Sequence, residues 1–172
     1  MKDNVMKRIE IEKITLNIGV GQPGDHLDKA MRLLEKISGS KPVQTTTMKR
    51  IPTWSLRPNL AIACKVTLRG EKAENVLKNL FIAADNKINS SKFDKFGNFS
   101  FGIPEYIDIP GVEYEADIGI IGLEVAVTLK RPGFRVKKRL IKSKIGKKHK
   151  ISRQESIEFI KNKFNINVEG AL

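Results

Sequence analysis

The sequence predicts one α+β domain, with a mainly antiparallel sheet and helices packed on one face of it. Three observations carry that expectation. Segments near 14–18, 60–68 and 123–129 alternate apolar and polar residues, the period of a half-buried strand. Segments near 25–38 and 71–84 place apolar residues three and four apart, the period of an amphipathic helix. No internal repeat and no linker rich in glycine, proline or serine divides the 172 residues, a length that supports one well-buried core.

The elements follow in order. Ile9 and Ile11, then Ile14, Leu16 and Ile18, alternate with polar residues and slip phase once near Glu12, which predicts a bulged strand ending about Asn17. A turn, Gly19-Val-Gly-Gln-Pro-Gly24, precedes Asp25, the expected N-cap of a helix. That helix turns Leu27, Ala30, Met31, Leu34 and Ile37 inward and closes at Gly39. A short strand is expected over 43–47, then an exposed loop over 48–59 that carries Pro52, Trp54 and Pro58. A strand over 60–68 leads to a helix over 71–84 with Val76, Leu77, Leu80 and Phe81 inward.

The polar, glycine-bearing stretch 85–102 spaces Phe93, Phe96, Phe99 and Phe101 too irregularly for a helix and reads as a mobile loop. Tyr106 to Ile109 reads as a short strand, and 123–129 as a half-buried one. Ser152 and Glu155 form a capping box for a last helix through Phe164.

Charge is sorted along the chain, whose net charge is +13. Residues 36–70 hold Lys36, Lys41, Lys49, Arg50, Arg57, Lys65 and Arg69 and no acid. Residues 96–129 hold Glu105, Asp108, Glu113, Glu115, Asp117 and Glu124 and no Lys or Arg. Residues 130–150 then hold Lys130, Arg131, Arg135, Lys137, Lys138, Arg139, Lys142, Lys144, Lys147, Lys148 and Lys150, again without an acid. A face that is merely solvated carries both signs interspersed, so this segment is expected to meet the phosphates of a nucleic acid.

Several function classes lose support. The single cysteine, Cys64, lies in the apolar run Leu60-Ala-Ile-Ala-Cys64 and reads as a core thiol in a reducing compartment. One Cys and two distant His, His26 and His149, make no zinc set, so no metal is expected. No run approaches the roughly 18 apolar residues of a membrane span, and the first residues lack a secretory apolar segment. A cytoplasmic protein with no membrane partner is expected.

Gly19-Val-Gly-Gln-Pro-Gly24 does match the glycine fingerprint of dinucleotide sites, after a strand and before a helix. Against it, Pro23 lacks an N–H, Asp25 puts a negative charge where phosphate would sit, and no acid follows for a ribose. A dinucleotide-binding enzyme stays the minor alternative; no cofactor and no catalysis are expected. Non-enzymatic RNA or DNA binding is the main reading, with a free RNA-binding regulator as its variant. Trp54, among Lys49, Arg50 and Arg57, either packs on the sheet or stacks on a base.

Five ordered motifs narrow this further. Ile14-Thr-Leu-Asn-Ile-Gly-Val-Gly21, Ile37-Ser-Gly-Ser-Lys-Pro42, Lys65-Val-Thr-Leu-Arg69, Phe93-x-x-Phe-Gly-Asn-Phe99 and Arg131-Pro-Gly-Phe134 span most of the chain. Together they resemble the universal large-subunit ribosomal protein five family, whose members bind 5S ribosomal RNA. Gly146-Lys-Lys-His-Lys-Ile-Ser152 resembles its archaeal and eukaryotic branch.

The resemblance implies a non-catalytic constituent of the ribosome, residues 1–172 forming a single ribosomal-protein domain that helps attach 5S rRNA to the large-subunit rRNA in the central protuberance. It implies 5S rRNA contacts at Asn17, Thr67 and Ser40, the last where many members carry Gln. The residues alone also allow Asn17 to cap a turn and Thr67 to be an ordinary strand residue. It further implies that Lys49, Arg50, Trp54 and Arg57 face the P-site tRNA, and that 130–150 meets rRNA backbone. A basic small-subunit protein, met by the acidic stretch, and a neighbouring 5S-binding large-subunit protein complete the implied partners.

Overall fold

The computed structural model describes residues 4–170. Strand β1 (Glu10–Gly19) buries Ile14, Leu16 and Ile18 on one side. Its register against a later strand shifts between Ile11 and Lys13, so the phase slip at Glu12 is a β-bulge; the strand runs to Gly19, two residues past the expected end.

Helix α1 (Asp25–Ser38) follows, with Leu27, Ala30, Leu33 and Leu34 buried. The expected cap at Asp25 is corrected. Gly24, at φ +117°, is the cap position, and Asp25 is the first helical residue, where its charge suits the positive end of the helix. Gly39 ends the helix in the left-handed region at φ +55°, its N–H donating to Glu35 O.

Strands β2 (Val43–Thr46) and β3 (Ala61–Leu68) form a hairpin around the 48–59 loop, and helix α2 (Gly70–Ala83) buries Ala73, Leu77, Leu80 and Phe81. Short strand β4 (Lys87–Asn89) and strand β5 (Phe99–Ile103) come next, then β6 (Leu123–Lys130). Helix α3 (Arg153–Phe164) opens with the expected Ser152/Glu155 capping box, and β7 (Asn167–Glu169) pairs in parallel with β4. The main sheet is antiparallel in the order β2-β3-β1-β6-β5, with α1 packed on β3 and α2 on β1.

Two more expectations are corrected. The 85–102 stretch is packed structure. Phe99, Phe101 and Ile103 alternate inward from β5, and Phe81 of α2 stacks on Phe99 and Phe101 at centroid distances of 6.3 and 5.4 Å. Phe93 joins them at 5.0 Å from Phe99, whereas Phe96 stays exposed. Each ring removes about 150–250 Å² of apolar surface from water, enough to order a polar stretch. Tyr106 to Ile109 is no strand: Tyr106–Asp108 is a 3-10 turn, and the fully buried Tyr106 accepts the Glu115 N–H at its hydroxyl, 3.0 Å away.

Cys64 is fully buried, and burial pushes its thiol up to about 11, so it is no nucleophile near neutral pH.

Candidate nucleic-acid interface

Because side chains alternate along a strand, the sheet that buries Ile14, Leu16, Val66, Val125 and Val127 presents the intervening residues on its opposite face. The strand registers align them in rows. Across β2, β3, β1, β6 and β5 runs Val43–Lys65–Asn17–Glu124–Gly102. The neighbouring row is Thr67–Thr15–Ala126–Ser100. Lys65, Thr67, Ala126, Ser100 and Gly102 are exposed and Asn17 and Thr15 half-buried, so no described residue roofs this surface. Most of these side chains are short, and hydroxyl and amide groups stand between the charged Lys65 and Glu124, a surface suited to ribose and base edges rather than to phosphate alone.

Asn17 and Thr67 therefore share one face, on the adjacent strands β1 and β3 and in neighbouring rows. Asn17 lies within β1, in ladder register on both sides, rather than at the turn, and its Nδ2 donates to Glu124 Oε2 at 3.2 Å. Ser40 lies off the platform, in the connection between α1 and β2. Its Oγ accepts from Lys72 Nζ at 2.8 Å, and the same ammonium donates to Gly39 O at 2.6 Å. An antiparallel β2–β3 register runs Ser40 toward the Thr67 end of β3, so Ser40 and Lys72 border the platform there.

The 48–59 loop is an ordered extension of the β2–β3 hairpin. Ile51 and Leu56 exchange backbone hydrogen bonds at 3.1 and 3.0 Å, and Leu56 is buried. The Pro52–Trp54 turn between them leaves Trp54 67% exposed, beside exposed Lys49, Arg50 and Arg57. Of the two readings of Trp54, packing on the sheet is the one that fails.

The 130–150 segment is a strap clipped at both ends. Arg131, expected among the phosphate contacts, is corrected: it is only 4% exposed. Its Nη2 donates to Glu155 Oε1 at 2.7 Å and its Nη1 to Lys150 O at 3.3 Å, tying the start of the strap to its end. A guanidinium alone has the donors to join a carboxylate and backbone carbonyls in this way. His149 Nε2 meets Pro132 O at 2.9 Å, closing the same clip.

Partial burial pushes the Glu155 carboxyl up, but hydrogen bonds from the Ser152 N–H and Arg131 outweigh it and hold the group below its ordinary value. Lys130 pairs with Glu10 at 3.5 Å, and Lys138 pairs with Glu12 at the β-bulge. Arg139 folds back onto Ile141 O and Ser143 Oγ, and Lys150 lies over the Phe96 ring. Among the described residues, Arg135, Lys137, Lys142, Lys144, Lys147 and Lys148 enter no ion pair and are exposed.

Glu105, Asp108, Glu113, Glu115 and Asp117 are all exposed. Glu115 pairs with Lys36 of α1, and this hydrogen bond is the main reason the Lys36 ammonium is held above its ordinary value. Exposed Tyr114 and Ile120 lie among the acids, so that surface is apolar as well as negative.

The glycine turn offers little to a dinucleotide. The N–H groups of Val20 and Gly21 both donate to Ile62 O, at 2.9 and 2.8 Å. The strand before it pairs antiparallel on both sides, which is not the parallel unit the fingerprint belongs to.

Sequence reasoning did not single out Glu124 or Lys65 on the platform, although the alternation over 123–129 had already placed Glu124 outward. Nor did it separate Arg131 from its ten basic neighbours in 130–150. No helix of the described residues is long and apolar enough to cross a membrane.

Comparison with known proteins bears on the whole chain. The family model for the C-terminus of the ribosomal L5 family matches residues 61–159, and that of "Ribosomal protein L5" matches residues 4–57. The large ribosomal subunit protein uL5 of Nanoarchaeum equitans is 49% identical over 168 residues, covering 96% of this chain and 99% of that protein. The uL5 proteins of Methanosphaera stadtmanae and Sulfurisphaera tokodaii are 45% and 46% identical, covering 96% and 97% of this chain and 99% and 96% of theirs.

Proposed function

The chain belongs to the ribosomal L5 family, a non-catalytic, ribosome-associated cytoplasmic protein of the large subunit, and we propose that it holds 5S rRNA on the open face of its sheet. The observation that carries this is the platform itself: two rows of outward side chains, with Asn17, Thr15, Thr67 and Ser100 between Lys65 and Glu124, on hydrogen-bonded strands and uncovered among the described residues.

Asn17 and Thr67 supply groups that both donate and accept, fit for ribose hydroxyls and exposed base edges. Ser40 contacts the RNA through its hydroxyl at the platform's border, directly or through one water. The strap, with Lys130, Arg135, Lys137, Lys138, Arg139, Lys142, Lys144, Lys147, Lys148 and Lys150, supplies phosphate contacts to the large-subunit rRNA and helps attach the 5S rRNA to it. Residues 1–172 act as one domain in this role, beside a neighbouring 5S-binding protein.

Two further contacts belong to the same proposal. The 48–59 loop approaches the P-site tRNA, with Trp54 at its tip and Lys49, Arg50 and Arg57 against the backbone. The acidic, apolar surface around Glu113, Tyr114 and Asp117 meets a basic small-subunit protein. Glu113→Ala with Asp117→Ala is expected to weaken subunit association; unchanged association would remove that contact from the proposal.

Equilibrium binding to 5S rRNA against a scrambled RNA of the same length, at about 200 mM salt to suppress counterion-driven binding, tests the main claim. A preference for 5S rRNA supports it. Equal, salt-sensitive binding to both would leave a basic surface without a reader.

A further inference from the structure

One residue of the platform has the wrong charge for phosphate. Glu124 is exposed on this face, on the strand next to the β5 edge, in a protein of net charge +13, with Asn17 on one side and Gly102 on the other. A carboxylate accepts hydrogen bonds and cannot donate them, and so does an RNA phosphate. Whatever Glu124 meets in a complex must therefore be a donor, or the acid opposes binding.

We propose that Glu124, oriented by Asn17, reads the Watson–Crick edge of an unpaired guanine; the inference rests on the reading of this face as the 5S rRNA site. Guanine is the one base with two adjacent donors, N1–H and N2–H, on that edge, a match for the two oxygens of a carboxylate. Adenine and cytosine offer a single amino donor beside an acceptor, and uracil one imino donor between two acceptors.

The geometry favours the pairing in three ways. Asn17 Nδ2 donates to Oε2 at 3.2 Å, which fixes the carboxylate rotamer while both oxygens keep free lone pairs. Gly102, the cross-strand neighbour on the other side, has no side chain, and a Cβ built there meets nothing within 4 Å, so a base can lie over the face of β5 beside the carboxylate. Lys65, the neighbour of Asn17 on β3, stands one strand further on, placed to take a phosphate of the same nucleotide strand.

This division gives Asn17 the orienting of Glu124 beside its own RNA contact, and makes Glu124 the residue selective for guanine. It also sets electrostatics and readout against each other. Glu124→Gln removes a negative charge, so charge alone tightens binding to every RNA. The amide also replaces one acceptor by a donor facing a guanine donor, and a lost bidentate base contact weakens cognate binding roughly ten- to a hundredfold.

The experiment measures wild type and Glu124→Gln on 5S rRNA and on the scrambled RNA at about 200 mM salt, with kethoxal probing of unpaired guanines. The side chain is exposed, and an unchanged melting temperature confirms the fold. The expected result is at least tenfold weaker 5S binding, scrambled binding equal or tighter, and loss of protection at one guanine with the rest of the footprint intact. Equal or tighter binding of Glu124→Gln to both RNAs, with an unchanged footprint, overturns the inference and leaves the parent reading standing. Weaker 5S binding with every guanine still protected overturns the guanine assignment. A wild type without preference for 5S rRNA brings down the parent reading and this inference with it.

Discussion

The platform and the strap, the two surfaces proposed to meet RNA, have opposite constructions. The platform is five hydrogen-bonded strands backed by buried Leu16, Val66, Val125 and Phe101, so its side chains stand in fixed register. The strap has only two short 3-10 turns, Phe134–Lys137 and Lys147–His149, and is held mainly where Arg131 clips its ends. Polar groups held in fixed register can reject a wrong partner, because each unmet donor or acceptor carries a desolvation penalty. Loosely braced cations cannot reject, but they attract any phosphate chain. The proposal therefore gives selectivity to the first region and affinity to the second.

The largest effect is expected from behind the platform, where its rigidity originates. Phe99→Ala removes a ring stacked on Phe81 and Phe93 and is expected to cost about 3–5 kcal/mol. Denaturant unfolding measures it, and a loss below about 1 kcal/mol would return 85–102 to the status of a loop. Glu155→Ala comes second. It removes the carboxylate of Arg131 and half of the α3 capping box, and a loss of about 2 kcal/mol is expected, discounted for the partial exposure of Glu155. RNA affinity should fall with the strap unclipped, while the preference for 5S rRNA among RNAs survives.

Acid acts on the same clip. The Glu155 carboxyl is held below its ordinary value, so it contributes stability above its unfolded pKa, which is lost as pH falls through the folded one. Wild type should therefore lose more stability than Glu155→Gln on acidification below about pH 4.5, the ordinary value of the group. Equal losses would show that the clip carries no charge-dependent part.

The smallest effect belongs to the strap. Removing Lys142, Lys144, Lys147 and Lys148 together should lower the slope of log affinity against log salt by about three, alike for every RNA. A slope change confined to 5S rRNA would mean that the strap reads sequence too, and the contrast with the platform would narrow.

Much of this contrast was legible in the chain. Alternation over 14–18 and 123–129 marked which side chains face out, and the phase slip at Glu12 marked the bulge. The aromatic layer behind β5 was not legible. Phe99-Ser-Phe101-Gly-Ile103 alternates only briefly, and its partners, Phe81 on α2 and Val125 and Val127 on β6, lie far off along the chain on either side. Arg131 was illegible for a related reason. Its place in Arg131-Pro-Gly-Phe134 does not say that its side chain is buried, and Glu155, its partner, already had a complete role in the capping box. The platform's rows likewise exist only once five separate segments are in register.

A crossed binding measurement tests this division of labour most directly. Asn17→Ala with Thr67→Ala, and the four-lysine strap variant, would each be titrated with 5S rRNA and with scrambled RNA at about 200 mM salt. The platform variant is expected to lose tenfold or more on 5S rRNA and nothing on scrambled RNA, and the strap variant to weaken both by the same factor. A platform variant that weakens both equally, or a strap variant that weakens only 5S rRNA, would contradict it.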